Sequence, residues 1–431
     1  MSPASRIEEE ARAGRVSRSL VRHAHAVLGE LLQFSAPADQ TLSRYFRANR
    51  ALGRQDRAFI ADAVYGVLRR KRSLAALAGS EAPAALLTAA LVRLLGFSAR
   101  ALADALPAEE LARVARIKAT PADRLPEPVR ADLPDWLWTR LVIQEGAAEA
   151  DRIAQALLNP APLDLRVNLA RARREEILER LRADGFDAHA TSYSPAGIRC
   201  AGRPAINRHP AFLAGLVEVQ DDGSQILAWL VAPRRGEMVA DYCAGAGGKT
   251  LAMAMLMRGT GRLYAMDTSA KRLALLAPRA ARAGVTSIHS AALSGDTDAR
   301  LKRLAGKMDR VLVDAPCSGF GTLRRNPDLK WRHGEAAVAE LAAKQRRILE
   351  SASRLVKRGG RLVYATCSFL REENEQIVDD FLRREPAFTE RSCADILGAQ
   401  RIALEAGTRL RLWPHVHGTD AFFAAALERT A

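Results

Sequence analysis

The sequence predicts an α/β protein. A doubly wound parallel sheet is expected over residues 221–431, after a small α+β unit over 146–220 and an all-helical domain over 1–145. Three observations carry this reading. After about Gln220, short apolar strand-like runs alternate with helical patterns, as in a parallel sheet covered by helices. One of those runs leads into a glycine-rich loop, Asp241-Tyr242-Cys243-Ala244-Gly245-Ala246-Gly247-Gly248-Lys249-Thr250. Strand-type runs are scarce before Leu163.

In the first domain, Glu8 to Phe34 is rich in alanine and leucine and reads as one long helix. Gln55 to Arg72 sets Phe59, Ala63, Val64 and Val67 at helical spacing and ends in Arg69-Arg70-Lys71-Arg72, cations that suit a helix C-terminus. Pro83 can open a further helix through Leu95, closed by Gly96. In the second unit, Leu163 to Asn168 reads as a strand, Glu175 to Ala183 as a helix closed by Gly185, and Ile198 to Cys200 and Leu216 to Val219 as short strands. In the third, strands are expected at Met238 to Ala240, Leu263 to Met266, Val311 to Val313 and Leu362 to Ala365. A helix is expected from Glu335 to Val356, ended by Gly359-Gly360.

A chain of 431 residues can hold two or three domains and a large core. Its 48% hydrophobic and 26% charged content is ordinary for a soluble globular protein. The formal net charge of +16 is not, and it points to an anionic polymer as partner, since neutralised phosphates release counterions. Of the 65 cationic residues only nine are lysine, and arginine is the better match for phosphate forks and base faces. Five dispersed cysteines make no disulfide framework and show no metal-ligand spacing, so neither a disulfide scaffold nor a metal is expected. Met1 to Arg15 is charged and lacks an apolar signal region, and no apolar run reaches about 18 residues. A reducing cytoplasm and no membrane are the expected setting.

The glycine loop follows a strand and should open a helix, a place where backbone approaches a ligand closely. Three ligands compete. A nucleoside triphosphate asks for GxxxxGK[ST]; Gly248-Lys249-Thr250 supplies its end, but Cys243 stands at its first glycine. The run Val311 to Asp314 even has the form of the acidic strand such sites use. A dinucleotide asks for GxGxxG, and the third glycine is missing. S-adenosylmethionine asks for an acid at the end of the next strand to accept the ribose hydroxyls, and Asp267 lies 19 residues past Gly248.

Two cysteines each follow a strand-like run: Cys317 in Asp314-Ala315-Pro316-Cys317 and Cys367 in Thr366-Cys367-Ser368. A lone cysteine after a strand is more often core packing. Two of them at the carboxyl ends of two strands of one sheet favour chemistry, because that is where ligands collect. Cytosine C5 is a poor nucleophile until a thiolate adds to C6, which gives C5 enamine character; a hydrogen-bonding acid such as Asp314 at N3/N4 assists. The target base must be unstacked to reach the thiol.

Taken together these residues resemble the RsmB-like (Sun/Fmu) family of RNA cytosine-C5 methyltransferases. The resemblance covers nearly the whole chain. It rests on Asp314-Ala315-Pro316-Cys317-Ser318 with Arg324-Arg325-Asn326-Pro327-Asp328-Leu329-Lys330-Trp331, on Tyr364-Ala365-Thr366-Cys367-Ser368 with Glu373-Asn374-Glu375, on Gln220 to Gln225 and on Gly418 to Phe423. The helical N-terminus, notably Leu52 to Arg57, is similar to the family's NusB-like RNA-binding domain. The resemblance implies a Rossmann-like class I methyltransferase domain acting on RNA, ribosomal RNA first and transfer RNA as the alternative; a monomer is the separate expectation. It implies Cys367 as nucleophile, Cys317 as the residue assisting release, and Asp314 and Lys249 beside the target base. It implies S-adenosylmethionine on Cys243, Ala244, Gly245, Ala246, Gly247, Gly248, Lys249, Asp267 and Asp314, with Asp296 at the adenine and Asp298 as its rival. Arg324, Arg325, Lys330 and Arg332 are expected to line the RNA path. The family's usual loop reads Cys-Ala-Ala-Pro-Gly-Gly-Lys-Thr, so Gly245-Ala246 is a departure, as is Ala421 where glycine is common. The competing expectations are a non-catalytic RNA-binding or ribosome-assembly factor, which the intact cysteines argue against, and a DNA cytosine methyltransferase, which has no use for the Thr-Cys-Ser motif.

Overall fold

Val21, Ala24, Val27, Leu28 and Leu31 recur at helical spacing and are buried on helix Arg18–Leu31. They begin the core of an all-helical unit. In a computed structural model, residues 16–202 and 204–431 are described. The chain divides into two compact units, Met1–Pro160 with Thr322–Glu335, and Ala161–Gly321 with Ala336–Ala431.

In the first unit, helices Ala38–Ala48, Arg54–Arg69, Lys71–Ala78, Pro83–Arg93, Ala108–Ala119, Asp135–Glu145 and Ala147–Leu157 follow. The apolar faces of those from Ala38–Ala48 to Ala108–Ala119 share one core around Ile60, Val64, Leu86 and Leu91. The long helix expected from Glu8 is described from Arg18 to Leu31; Glu8 to Arg15 lie outside the described residues. The helix expected from Gln55 to Arg72 is two helices, broken at Arg70. The cause is Asp132. Its carboxylate accepts from Arg72 N at 2.8 Å, Ser73 N at 3.0 Å and Ser73 Oγ at 2.6 Å, which caps a new helix start. Among the described residues no single helix is long and apolar enough to cross a membrane.

The segment Thr322–Glu335 packs within this unit although it follows the Cys317 loop in sequence. Lys330 Nζ donates to Arg69 O at 2.8 Å and Trp331 Nε1 to Leu68 O at 2.7 Å. Helix ends leave carbonyls unsatisfied, and these two side chains close the end of Arg54–Arg69.

The second unit holds two sheets. Strands β1 (Leu163–Val167), β2 (Ala188–Ala190), β3 (Gly197–Cys200) and β4 (Val217–Val219) form an antiparallel sheet in the order β2-β3-β1-β4. Helix Arg174–Ala183 packs its Ile177 and Leu181 into the same small core. The larger sheet contains β5 (Met238–Asp241), β6 (Arg262–Asp267), β7 (Ile288–Ala292), β8 (Met308–Asp314), β9 (Val356–Thr366), β10 (Phe388–Arg391), β11 (Leu410–Leu412) and β12 (Phe422–Arg429). Its order is β10-β12-β9-β8-β5-β6-β7, with β11 also on β12. The pairs from β7 to β9 are parallel and β12 is antiparallel to β9. Parallel strands buried on both faces read as continuous apolar runs, which is why Val311-Leu312-Val313 and Leu362-Val363-Tyr364 stood out. The expected doubly wound sheet is present, with an antiparallel edge added.

A second expectation is corrected here. The helix from Glu335 stops at Ser353, and Gly359-Gly360 lie inside β9, beside a register shift between Met308 and Arg310. A Cβ on Gly360 would meet Met308 O at 2.9 Å, so glycine there serves close backbone approach at a bulge.

Candidate active site

The chain runs β5 to β6 to β7 on one side of the sheet and then crosses to β8 on the other side of β5. The carboxyl ends of β5 and β8 therefore flank a topological switch point, where an open α/β sheet leaves a crevice. The residues expected to do chemistry lie at the ends of β5, β6, β8 and β9.

The glycine loop links β5 to helix Gly248–Leu256. Gly245 and Gly247 have φ of +55° and +84°, and a Cβ on Gly247 would run into the Leu276 side chain. The loop is held from outside by Arg166, whose Nη1 donates to Gly248 O at 2.9 Å, and by Arg279, which donates to Ala246 O. Burial pulls the Arg166 guanidinium down to about 10. Asp267 closes β6: its Oδ2 accepts from Gly245 N at 2.8 Å and its Oδ1 from Ser269 N at 2.7 Å. Beneath the loop, Asp241 is buried and accepts from Thr250 Oγ1 at 2.7 Å, leaving its Oδ1 without a partner. Burial pushes the Asp241 carboxyl up to about 7.

The two rival acids in the loop after β7 separate clearly. Asp298 is spent on its own surroundings, accepting from Ser294 N at 2.9 Å, Arg300 N at 2.9 Å and the Arg300 guanidinium at 2.6 Å. Those bonds, Arg300 first, hold it well below the usual carboxylate range. Asp296 is fixed through its backbone, whose carbonyl accepts from Ser351 Oγ at 2.8 Å, while its side chain pairs loosely with Arg347 at 3.7 Å.

At the end of β8, Asp314 Oδ2 lies 2.7 Å from Lys249 Nζ. Burial lowers the affinity of the Lys249 amine for its proton, but the Asp314 carboxylate more than compensates, and Cys367 adds in the same direction; the net shift is upward. Lys249 also lies 5.7 Å from the centre of the Phe422 ring. Register pairs Asp314 with Ala365, so the loops after β8 and β9 leave the sheet at one level. Cys317 Sγ and Cys367 Sγ are 3.4 Å apart. The hydrogen bond to Cys367, then burial, pushes the Cys317 thiol well above its ordinary value, so it stays protonated at neutral pH. Cys243 is also raised, by burial, and is not poised as a nucleophile.

The structure thus brings together Lys249, Asp314, Cys317 and Cys367, beside the loop Cys243–Lys249. It also draws in residues whose roles sequence reasoning missed. Glu373, Asn374, Ser318 and Gln345 form a buried polar network behind the cysteines. Gly321, whose N–H donates to Cys367 O at 2.8 Å, supports the Cys367 loop. Their sequence neighbourhoods were noted, but long-range pairing leaves no local signal. The four basic residues belong to the first unit. Lys330 is buried, with 3% exposure, and burial lowers its amine to about 7; it is not on the surface. Arg324 donates to Pro160 O at 3.5 Å and Arg332 to Asp328 Oδ2 at 3.4 Å, and both keep partial exposure, as does Arg325.

Comparison with known proteins decides between the ligands left open above. The family model described as 16S rRNA methyltransferase RsmB/F matches residues 228–428, and an RsmF/B-like ferredoxin-like domain model matches 133–207. A probable ribosomal RNA small subunit methyltransferase B of Bacillus subtilis (strain 168) is 33% identical over 319 residues, 71% of this chain and 70% of that protein. The chain belongs to the RsmB/F methyltransferase family. A second relative of the same description, from Synechocystis, is 36% identical over 69% of this chain and 66% of its own length, just under two thirds. The crystal structure of PH0851 is 25% identical and matches with a TM-score of 0.77 over 96% of this chain and 99% of its own. A methyltransferase homolog protein from Pyrococcus horikoshii is 30% identical, with a TM-score of 0.60 over 70% and 97%.

RsmB/F proteins are S-adenosylmethionine-dependent methyltransferases, and the residues here fit that group. The loop carries no side-chain bulk at Gly245, Gly247 and Gly248, and an acid closes the next strand. The ferredoxin-like match begins at 133, so by family the helices Asp135–Glu145 and Ala147–Leu157 go with the small α+β module, whereas by packing they go with the helical unit. Among the described residues no group of three or more metal-ligating side chains is arranged to hold a metal.

Proposed function

We propose that this RsmB/F protein methylates C5 of cytosine in RNA, ribosomal RNA foremost, through a covalent bond from Cys367 to C6 of the base. The observation that carries the reading is the 3.4 Å approach of Cys317 and Cys367 at the strand ends that also hold the Lys249–Asp314 pair. The relatives' description as ribosomal RNA methyltransferases supports the substrate class.

When bound, S-adenosylmethionine supplies an electrophilic methyl group. Asp267 is the acid for its ribose, Asp296 the acid for its adenine, and Cys243 to Lys249 the backbone cradle. Cys367, as thiolate, adds to C6, and the electron pair of the C5–C6 bond makes C5 nucleophilic. Asp314, held by Lys249, orients the base through its N3/N4 edge. After C5 is alkylated a water molecule takes its proton, the C5–C6 double bond re-forms, and the sulfur of Cys367 leaves with its electron pair. The protonated Cys317 thiol beside it hydrogen-bonds the departing sulfur and so assists release. Arg324, Arg325 and Arg332 are proposed contacts to RNA phosphates.

Methyl-labelled cofactor incubated with the protein and cellular RNA should place label on cytosine C5, and bisulfite sequencing of RNA from cells with and without the gene should locate it. Label on another atom would sink the reading. Label in transfer RNA alone would move the substrate and keep the chemistry.

A further inference from the structure

The two cysteines sit on separate loops, after β8 and after β9, and their separation must be set by something that grips both. Directly between the loops run the sulfur contact itself, a hydrogen bond from Ser318 Oγ to Ser368 Oγ at 3.2 Å and one from Gly321 N to Cys367 O at 2.8 Å, the last well past Cys317. Two consecutive residues do the rest. Glu373 is fully buried. Its Oε1 accepts from Ser318 N at 2.8 Å and from Gln345 Nε2 at 3.0 Å, and its Oε2 accepts from Ser318 Oγ at 2.6 Å. Gln345 Nε2 also donates to Pro316 O at 2.9 Å, so the Cys317 loop is held on both sides of the cysteine. Asn374 is 1% exposed. Its Oδ1 accepts from Thr366 Oγ1 at 2.5 Å and its Nδ2 donates to Ser368 O at 2.9 Å, so the Cys367 loop is held on both sides too. Below them Tyr364 OH donates to Glu373 O at 2.6 Å and ties the dipeptide to β9.

Neither side chain reaches a sulfur, and burying a carboxylate is costly unless its oxygens are fully bonded. A merely structural site would be served as well by apolar packing. We propose that Glu373-Asn374 is a positioning unit: Glu373 grips the Cys317 loop, Asn374 grips the Cys367 loop, and because they are adjacent in the chain they fix the distance between the two sulfurs. The inference rests on the proposed covalent reaction for its catalytic consequence, but the distance itself can be read without it. The exchange Glu373→Gln keeps the shape and replaces an acceptor by an NH2 facing donors. Asn374→Asp removes the donor to Ser368 O.

The test uses the full chain and dibromobimane, whose two bromomethyl carbons each alkylate a thiolate with loss of bromide, so that one molecule bridges two nearby sulfurs. Peptide mass mapping identifies a Cys317–Cys367 bridge. In Glu373→Gln and in Asn374→Asp the rate of bridging should fall about tenfold or more, while S-adenosylhomocysteine binds as in the parent. Catalysis should show a loss of about 100-fold in kcat with KM for RNA little changed, as expected when reacting groups are misplaced by about an ångström. Ser318→Ala, which removes only the hydroxyl bond, should fall between parent and Glu373→Gln and guards against an exchange that does not fold. Unchanged bridging and kcat in folded Glu373→Gln and Asn374→Asp would overturn the proposal. Slowed bridging in a protein that methylates no cytosine would keep the positioning unit and overturn the reaction instead.

Discussion

Cys317 Sγ lies 3.4 Å from Cys367 Sγ, and that contact, with burial, pushes the Cys317 thiol well above its ordinary value. The proposed reaction assigns different work to these two residues of the same kind. Cys367→Ala should form no covalent complex with RNA. Cys317→Ala should still attack but release slowly, and a protein–RNA band should accumulate on denaturing gels. The opposite pattern would mean the roles are exchanged.

The same contact predicts a pH profile. A raised thiol pKa means Cys317 stays protonated through neutral pH, and only thiolate alkylates. Iodoacetamide labelling of Cys317, followed by mass mapping, should therefore keep rising above about pH 9. In Cys367→Ala the largest cause of the shift is gone, so the rise should move to lower pH. An unmoved profile would contradict the hydrogen bond as its cause.

Lys330 and its basic neighbours should separate by measurement. The Lys330 amine is lowered to about 7 when folded, whereas an unfolded lysine titrates near 10.4. Between those values the unfolded chain binds more protons, so this group's contribution to stability increases as pH rises from about 7 to about 10. Lys330→Met should flatten that part of the stability curve and leave the salt dependence of RNA binding alone. Arg325→Ala should reduce the salt slope by about 1. Equal effects of both on RNA binding would restore Lys330 to the RNA path.

Asp241 gives the acid counterpart. Its carboxyl is raised to about 7 when folded against about 3.9 unfolded, so the folded state holds the proton longer. This group's contribution to stability then declines as pH rises from about 4 to about 7. Asp241→Asn, which still accepts from Thr250, should remove that decline. Thermal melts across this range, parent against variant, measure it.

Gly321 is predicted to be the least replaceable residue near the thiols. A Cβ there would meet Cys367 O at 2.7 Å and crowd Ala421 O. Both obstacles are backbone, so Gly321→Ala must move the Cys367 loop. It should lower methyl transfer by about 100-fold or more without weakening S-adenosylhomocysteine binding measured by calorimetry.

Much of the fold was legible because its signals are local. The runs around Val311 and Leu362 are buried on both faces and announce themselves as strands, and the glycine loop announces a helix start. The place of Asp267 at the end of a strand was legible as well. The break at Arg70 was not, because its cause, Asp132, is distant in sequence. Gly359-Gly360 misled for a related reason: a glycine pair at a bulge and one at a helix end look alike until the partner strand is known. Behind the thiols, Glu373 and Ser318 are 55 residues apart, and only the fold makes them neighbours.

The strip from Thr322 to Glu335 has a consequence for dissecting this protein. It leaves the catalytic unit just after Gly321, contributes Lys330 and Trp331 to the helical unit, and returns at Ala336. The two units are therefore stitched by three crossings of the chain, and no single proteolytic cut frees one from the other. A gene fragment beginning at residue 161 would inherit fourteen residues shaped for a host it no longer has. Their lysine, now buried, and their tryptophan, now half-buried, would become a sticky, charged flap tethered beside the cysteine loop.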